Sequence, residues 1–245
     1  MRPADNMPKD MPATRRAQAK VERRQALIEA TIEAISEYGL SGTTIARVTE
    51  IAGTSVGLAN FHFENKERLF EATLQHLSDL ERGVWQKMND DAALTPAERL
   101  VALLDARFHP KVCNRRTLAV WFAFWGDAGA RAIYRRVVES LDDDRLNATV
   151  AIIQGLGHDP AAQQRDALQT ALGLEAFYDG LWLNHLLYPD DFKRAGCRQR
   201  ALEHLAALFP IHISGMQTVA MRASGGPTAQ RPDCTKDRLR KGIDR

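Results

Sequence analysis

The sequence predicts an all-α chain with a three-helix head and a larger helical body. Three observations predict it. Apolar residues return at three- and four-residue intervals through most of the stretch between residues 21 and 212, the period of a helix that buries one face. No stretch shows the two-residue alternation of a half-buried strand. The interruptions are short and fall at Gly, Pro and polar clusters, where helices end. Residues 1–20 hold Pro3, Pro8, Pro12 and several charges with neither period, and read as a disordered leader. Residues 213–245 are rich in Gly, Pro, Ser, Thr and base, and read as a disordered tail. The expected organisation is a leader at 1–20, a head at 21–64, a body at 65–212 and a tail at 213–245.

The elements follow in order. Leu27, Ile28, Thr31, Ile32 and Ile35 define the first helix, and Gly39 is a natural stop. Thr44 is placed to cap a short second helix carrying Ile45, Val48 and Ile51, which are assigned to the head core. Ala52-Gly53-Thr54 makes a turn, after which Ser55 caps a third helix carrying Leu58 and Phe61. A long helix is expected from about 65 to 88, through Leu69, Phe70, Leu74, Leu77, Leu80 and Val84. Thr95-Pro96 opens another, with Thr at the cap and Pro in the first helical position. Further helices are expected near 114–126, 130–155, 161–187 and 190–209, separated by Gly126–Gly129, Gly155–Pro160 and Tyr188-Pro189.

The formal net charge of +2 over 245 residues excludes a strongly basic coat protein but not a local positive footprint. Arg2, Lys9, Arg15, Arg16, Lys20, Arg23 and Arg24 crowd the N-terminal segment, either as a solvated run or as such a footprint. Cys113, Cys197 and Cys234 lack metal-ligand spacing, and an odd number argues against a disulfide framework. The richest apolar run, Leu118 to Trp125, is far short of the roughly 20 residues that cross a bilayer. With no signal peptide to read, the expected compartment is the cytoplasm, with no membrane partner.

The head contains TTIARVTEIAGTSVGLANFHFENKERLF, two short helices joined by a tight turn. Such a pair places its second helix in a major groove of double-stranded DNA while the first crosses the backbone. Free N–H groups at the helix starts near Thr44 and Ser55 suit phosphate oxygens, and both hydroxyls can add a bond. Lys66 adds a charge beyond the third helix, while Val56, Leu58, Asn60 and Phe61 fall on or near its groove face. Asn60 suits base edges, and the apolar groups suit thymine methyls.

From Arg24 to Phe70 the chain resembles the N-terminal domain of the TetR family of repressors. The resemblance is carried by Thr44, Ala52, Gly53, Ser55, Gly57, Phe61-His62-Phe63, Lys66, Glu67 and Leu69, in the family's order. It implies an all-helical homodimer whose larger domain supplies both a ligand cavity and the dimer interface. It also implies that ligand binding there changes the separation of the heads and weakens operator binding. His62 and Asn60 stand where the family often has Tyr. His62 can still donate to phosphate, and Asn60 exchanges an aromatic contact for a base-edge donor and acceptor. Phe63 is assigned to head packing.

In the body, RRTLAVWFAFWGDA and GLEAFYDGLWLNHLL are rich in aromatics. Trp121 and Trp125 are four apart and share a helix face, as do Tyr178 and Trp182, with Glu175 and Asp179 beside them. Aromatic faces with a nearby carboxylate attract organic cations, although such a stripe also serves as plain core. Both segments resemble BetI-type regulators within the TetR family, which implies repression of choline uptake and oxidation genes, with choline as effector. On that resemblance Trp121, Trp125, Glu175, Tyr178 and Trp182 are the candidate pocket, and another amine or an apolar metabolite is the alternative cargo. The helices at 161–187 and 190–209 are the candidates for an intersubunit four-helix bundle, with Leu181 and Leu205 in its seam.

An enzyme is not expected. There is no glycine-rich phosphate loop, nucleophile elbow or metal spacing, and no cofactor is implied. Asp142, Asp143 and Asp144 read as a solvated helix face, and His109, His158 and His185 lack Cys partners. The rival to a regulator is a helical ligand-binding protein without DNA activity.

Overall fold

The computed structural model describes residues 11–89, 93–156 and 166–212, and among these every regular element is helical. The tail expected at 213–245 lies outside the described residues. In chain order the helices are α1 (Met11–Gly42), α2 (Ile45–Ile51), α3 (Val56–Phe63), α4 (Lys66–Asn89), α5 (Pro96–Arg107), α6 (Arg115–Gly126), α7 (Arg131–Gly155), α8 (Ala167–Leu187) and α9 (Arg194–Leu208). A 3₁₀ turn at Pro210–His212 follows. None of these helices is long and apolar enough to cross a membrane.

The helix ends explain themselves. Thr44, Ser55, Thr95 and Asp166 each accept a backbone N–H at the start of α2, α3, α5 and α8. Thr95 and Glu98 form a reciprocal capping box, with Pro96 in the first turn. Asn65 accepts the Arg68 N–H at 2.9 Å and Asn114 the Thr117 N–H at 3.1 Å, opening α4 and α6. α1 begins at Met11, inside the segment expected to be an irregular leader. Pro12 causes no break there, because the first turn of a helix has no partner for the missing N–H. At the other end of α1, Gly39 turns to φ +66°, and the Thr43 hydroxyl donates to its carbonyl at 2.7 Å.

The chain divides into two compact units. The first comprises the residues through Asp79 with Ala119–Glu139, and the second comprises Leu80–Leu118 with the residues from Ser140 on. The head is therefore part of a unit that extends beyond the expected boundary at 64, into α4, α6 and α7. Its core holds the predicted face of α1, with Leu27, Ile28, Thr31, Ile32 and Ile35 all buried, together with the buried Val48, Ala59, Phe63, Leu69 and Leu74. Each such aliphatic or aromatic side chain contributes about 1.5–3 kcal/mol by leaving water. Ile45 and Ile51 are only partly covered.

The turn between α2 and α3 is a Schellman motif. Thr54 N–H bonds the Thr49 carbonyl at 2.9 Å and Gly53 N–H bonds that of Glu50 at 3.2 Å, with Gly53 at φ +61°.

The second unit is built around a charge network. Glu81 on α4 accepts on one oxygen from Arg107 Nη1 of α5 at 2.9 Å and from Arg145 Nη1 of α7 at 3.1 Å. Arg145 also bonds Glu175 of α8 at 2.9 Å and Asp142 at 3.0 Å, while Arg107 reaches Asp179 of α8. Glu81, Arg107 and Arg145 are buried. Burial works against the charge on both guanidiniums, but the surrounding carboxylates outweigh it and raise both pKa values. Four carboxylates on two guanidiniums leave an acid surplus. Asp142 and Asp179 have raised pKa values because burial outweighs the guanidiniums beside them. On the same helices Leu104, Leu141, Leu174 and Trp182 are fully buried. α9 is clamped to α5 by Arg198, which holds both oxygens of Asp105 at 2.6 and 3.0 Å.

Two stability measurements check these devices. Gly53→Ala forces a Cβ into the left-handed region and is expected to cost about 1 kcal/mol, read as a lowered urea midpoint. Glu81→Gln keeps the shape but removes the one carboxylate that both buried guanidiniums share, leaving them Asp179, Glu175 and Asp142, and is expected to cost about 3 kcal/mol. A Glu81→Gln midpoint equal to wild type would deny the network its structural role.

Candidate DNA-binding head and effector residues

In the head, the ends of α2 and α3 supply the chemistry. The Thr44 hydroxyl oxygen accepts the Arg47 N–H at 3.2 Å and that of Ser55 accepts the Leu58 N–H at 3.2 Å. Each hydroxyl keeps its own proton to donate outward. The first backbone N–H groups of both helices have no partner within the helix, so each start is a small positive site suited to a phosphate oxygen.

Along α3 the expected reading residues divide by exposure. Val56, Gly57, Asn60 and Phe61 face solvent, with Phe61 67% exposed, while Leu58 and His62 are partly covered. Phe63 is buried in the head, as assigned. A Cβ on Gly57 would meet nothing closer than the Ser55 hydroxyl at 3.9 Å, so the head itself does not require glycine there. His62 has its pKa lowered, by burial first and then by Lys20, Arg24 and Arg23, which favours the neutral ring. Lys66 donates to the Leu40 carbonyl at 3.2 Å and stands over the Phe70 ring at 5.0 Å. In this state its ammonium seals the end of α1, with protons left for a further partner.

The five candidate effector residues fall in both units. Trp121 and Trp125 belong to the first unit, where each meets Tyr134 edge to face at 6.0 Å. Phe122 packs on Trp125 at 4.9 Å. Among the described residues, neither indole N–H of Trp121 or Trp125 has a hydrogen-bond partner, although both nitrogens are buried. Tyr134 was not among the sequence candidates; its only signal was an aromatic side chain in the first turn after the Gly126–Gly129 break.

Glu175, Tyr178 and Trp182 lie on α8 in the second unit. Glu175 is engaged by Arg145, and its pKa is lowered because that guanidinium and Arg107 outweigh its burial. Trp182 donates its indole N–H to the Arg107 carbonyl at 3.0 Å, and the Arg107 guanidinium lies 3.8 Å from its ring centroid. Tyr178 is buried against Phe108 at 6.1 Å, and burial raises its pKa. The aromatic face and carboxylate expected to hold an organic cation thus already hold one from the chain. Arg107 and Arg145 carried no local signal, being 30 to 75 residues from the α8 groups they touch.

Leu181 and Leu205, expected in a seam between subunits, are covered by their own chain. A different row of α8 is open: Leu168, Leu172, Ala176, Gly180, Leu183 and Leu187 are all exposed at three- and four-residue spacing. No group of His, Cys, Asp and Glu among the described residues is arranged to hold a metal.

Comparison with known proteins agrees with this architecture. Residues 27–73 match the profile of bacterial regulatory proteins of the tetR family, and residues 96–210 match that of the BetI-type transcriptional repressor C-terminal domain. The HTH-type transcriptional regulator BetI of Pseudomonas aeruginosa is 34% identical over 176 residues, spanning 69% of this chain and 84% of that protein. BetI 2 of Chromohalobacter salexigens is 32% identical over 187 residues, spanning 76% and 88%. Among solved structures, a transcriptional regulator from Pseudomonas aeruginosa PAO1 superposes with a TM-score of 0.66 at 26% identity, over 80% of this chain and 94% of that one. A regulator from Saccharomonospora viridis in complex with choline shares the fold, with a TM-score of 0.61 at 20% identity over 75% and 95%. With its capped helix-turn-helix head, its helical second unit and relatives matched over most of their length, the chain belongs to the TetR family of transcriptional regulators.

Proposed function

We propose that this chain is a homodimeric repressor that releases operator DNA on binding an organic cation of the choline type, and that it controls genes for choline uptake or glycine betaine synthesis. The observation that carries the DNA half is α3: a capped helix set by a Schellman turn, with Val56, Asn60 and Phe61 open to solvent. In this reading Thr44, Ser55, Gly57, His62 and Lys66 meet the backbone, while Val56, Leu58, Asn60 and Phe61 meet base edges and thymine methyls. The exposed row on α8 supports the dimer. Its leucines supply apolar area, and Ala176 and Gly180 at its centre let a second helix come close.

The choline reading is supported by the match of residues 96–210 to the BetI-type profile and by the cluster of Trp121, Trp125 and Tyr134. Aromatic faces favour a quaternary ammonium, and the free indole N–H groups favour an oxygen on the same ligand. A second reading, an apolar metabolite or another amine as effector, is favoured by the occupation of Trp182 and Glu175 by arginines.

The test is a fluorescence-anisotropy titration of the full chain onto the duplex upstream of its own gene, with and without choline. The expected result is tight binding weakened about 10-fold or more by choline. Trp121→Ala is expected to retain DNA binding and lose that response. Tight binding indifferent to choline would leave the repressor and remove the proposed effector. Gly57→Ala is expected to raise the head's stability by up to about 1 kcal/mol while weakening operator binding, because the added methyl meets DNA and not the head. Unchanged binding would place the DNA backbone farther from the start of α3.

A further inference from the structure

The tetR-family profile begins to match at residue 27, but α1 begins at Met11. The turns of α1 ahead of that match carry Lys20, Arg23 and Arg24, all exposed, and the sequence places Arg15 and Arg16 in the turn before. Among the described residues, no carboxylate pairs with Lys20, Arg23 or Arg24. A purely solvated basic run would have no fixed relation to the head, yet this one is held against α3. The Lys20 ammonium stands 5.2 Å from the centroid of the Phe61 ring, and the Arg24 guanidinium 5.1 Å from that of Phe63. The same three cations act on His62, at the end of α3. Phe61 is among the most exposed large apolar side chains described, so Lys20 marks the solvent side of the recognition helix.

We propose that the N-terminal turns of α1 are a second DNA-contacting surface, on which Lys20 and Arg23 bind backbone phosphates flanking the bases read by α3. The inference rests on α3 being the recognition helix, and it adds contacts that the helix-turn-helix itself does not supply. Arg24 is held by Phe63 and positions the row. Lys20 and Arg23 are the groups free to exchange counterions for phosphates. Such contacts carry no sequence information, but they fix the register of the head on the duplex and deepen the salt dependence of binding. Phe61 and Lys20 then act as a pair: the ring meets the groove while the ammonium beside it meets the adjoining strand.

The test is a series of anisotropy titrations of the full chain on the upstream duplex and on a random duplex, between about 50 and 200 mM salt. Wild type is compared with Lys20→Gln/Arg23→Gln, with the charge-keeping Lys20→Arg/Arg23→Lys, and with Asn60→Ala. Two phosphate contacts contribute about 2 to the slope of log affinity against log salt, so over that range wild type is expected to lose roughly tenfold more affinity than the Gln variant. The charge-keeping variant should restore the slope. The Gln variant should keep its preference for the upstream duplex and its unfolding temperature. A wild-type slope in the Gln variant overturns the proposal, as does a charge-keeping variant that fails to restore it. If Asn60→Ala still changes the preference between duplexes, α3 remains the recognition helix and only the added surface is lost. A wild-type protein with no preference for the upstream duplex, together with an inert Asn60→Ala, removes both.

Discussion

Taking a guanidinium out of water costs several kcal/mol, and the second unit buries two. Arg107 and Arg145 are tolerable there only because Glu81, Glu175, Asp179 and Asp142 are delivered to them by α4, α8 and α7. The requirement runs both ways. Each of those helices must arrive in one register for its carboxylate to meet a nitrogen, so the network fixes their relative rotation more sharply than apolar packing does. Leu104, Leu141 and Leu174 on the same helices are buried too, and ion pairs in dry surroundings are stronger than in water. A core of this kind ties stability to a defined arrangement of its helices, because removing one partner leaves a buried charge exposed to the full cost of desolvation.

The head meets a different constraint. In the proposed reading its working parts are helix ends, which are useful to an anion only while their N–H groups stay unsatisfied. The local sequence preserves that condition. Thr44 and Ser55 satisfy one N–H each and leave the first ones open, and the positive φ of Gly53 brings the two helices around without a longer loop. Beneath them, Phe63, Val48 and the buried face of α1 provide the rigid base.

How far the sequence reveals this depends on the range of the interaction involved. Capping and turn chemistry is local, so Thr44, Ser55, Gly53 and the Thr95-Pro96 start were legible, as was the buried face of α1. The start of α1 is not legible because the first 20 residues show no period and hold three prolines and several charges, although Pro12 in a first turn breaks nothing. The expected seam at Leu181 and Leu205 failed for another reason. α8 carries apolar residues almost all round, so periodicity alone does not tell which row packs inside and which faces out. The candidate effector residues show the same limit more severely. Glu175 and Trp182 were recognisable as a carboxylate beside an aromatic ring, but that Arg145 and Arg107 engage them is a fact about tertiary structure. Trp121 and Trp125 were legible as a pair, and Tyr134, across a helix break, was not.

Arg107 over Trp182 has a consequence for selectivity. A side chain tethered to its own binding site behaves as a competitor at an effective concentration in the millimolar range or higher, one that dilution cannot lower. Any free cation seeking that ring must displace a guanidinium that is already desolvated and bonded to Glu81 and Asp179. Weak, abundant cations such as inorganic ions and simple amines lose that contest at ordinary concentrations. The α8 aromatic face is thus guarded from within, and charge alone does not open it.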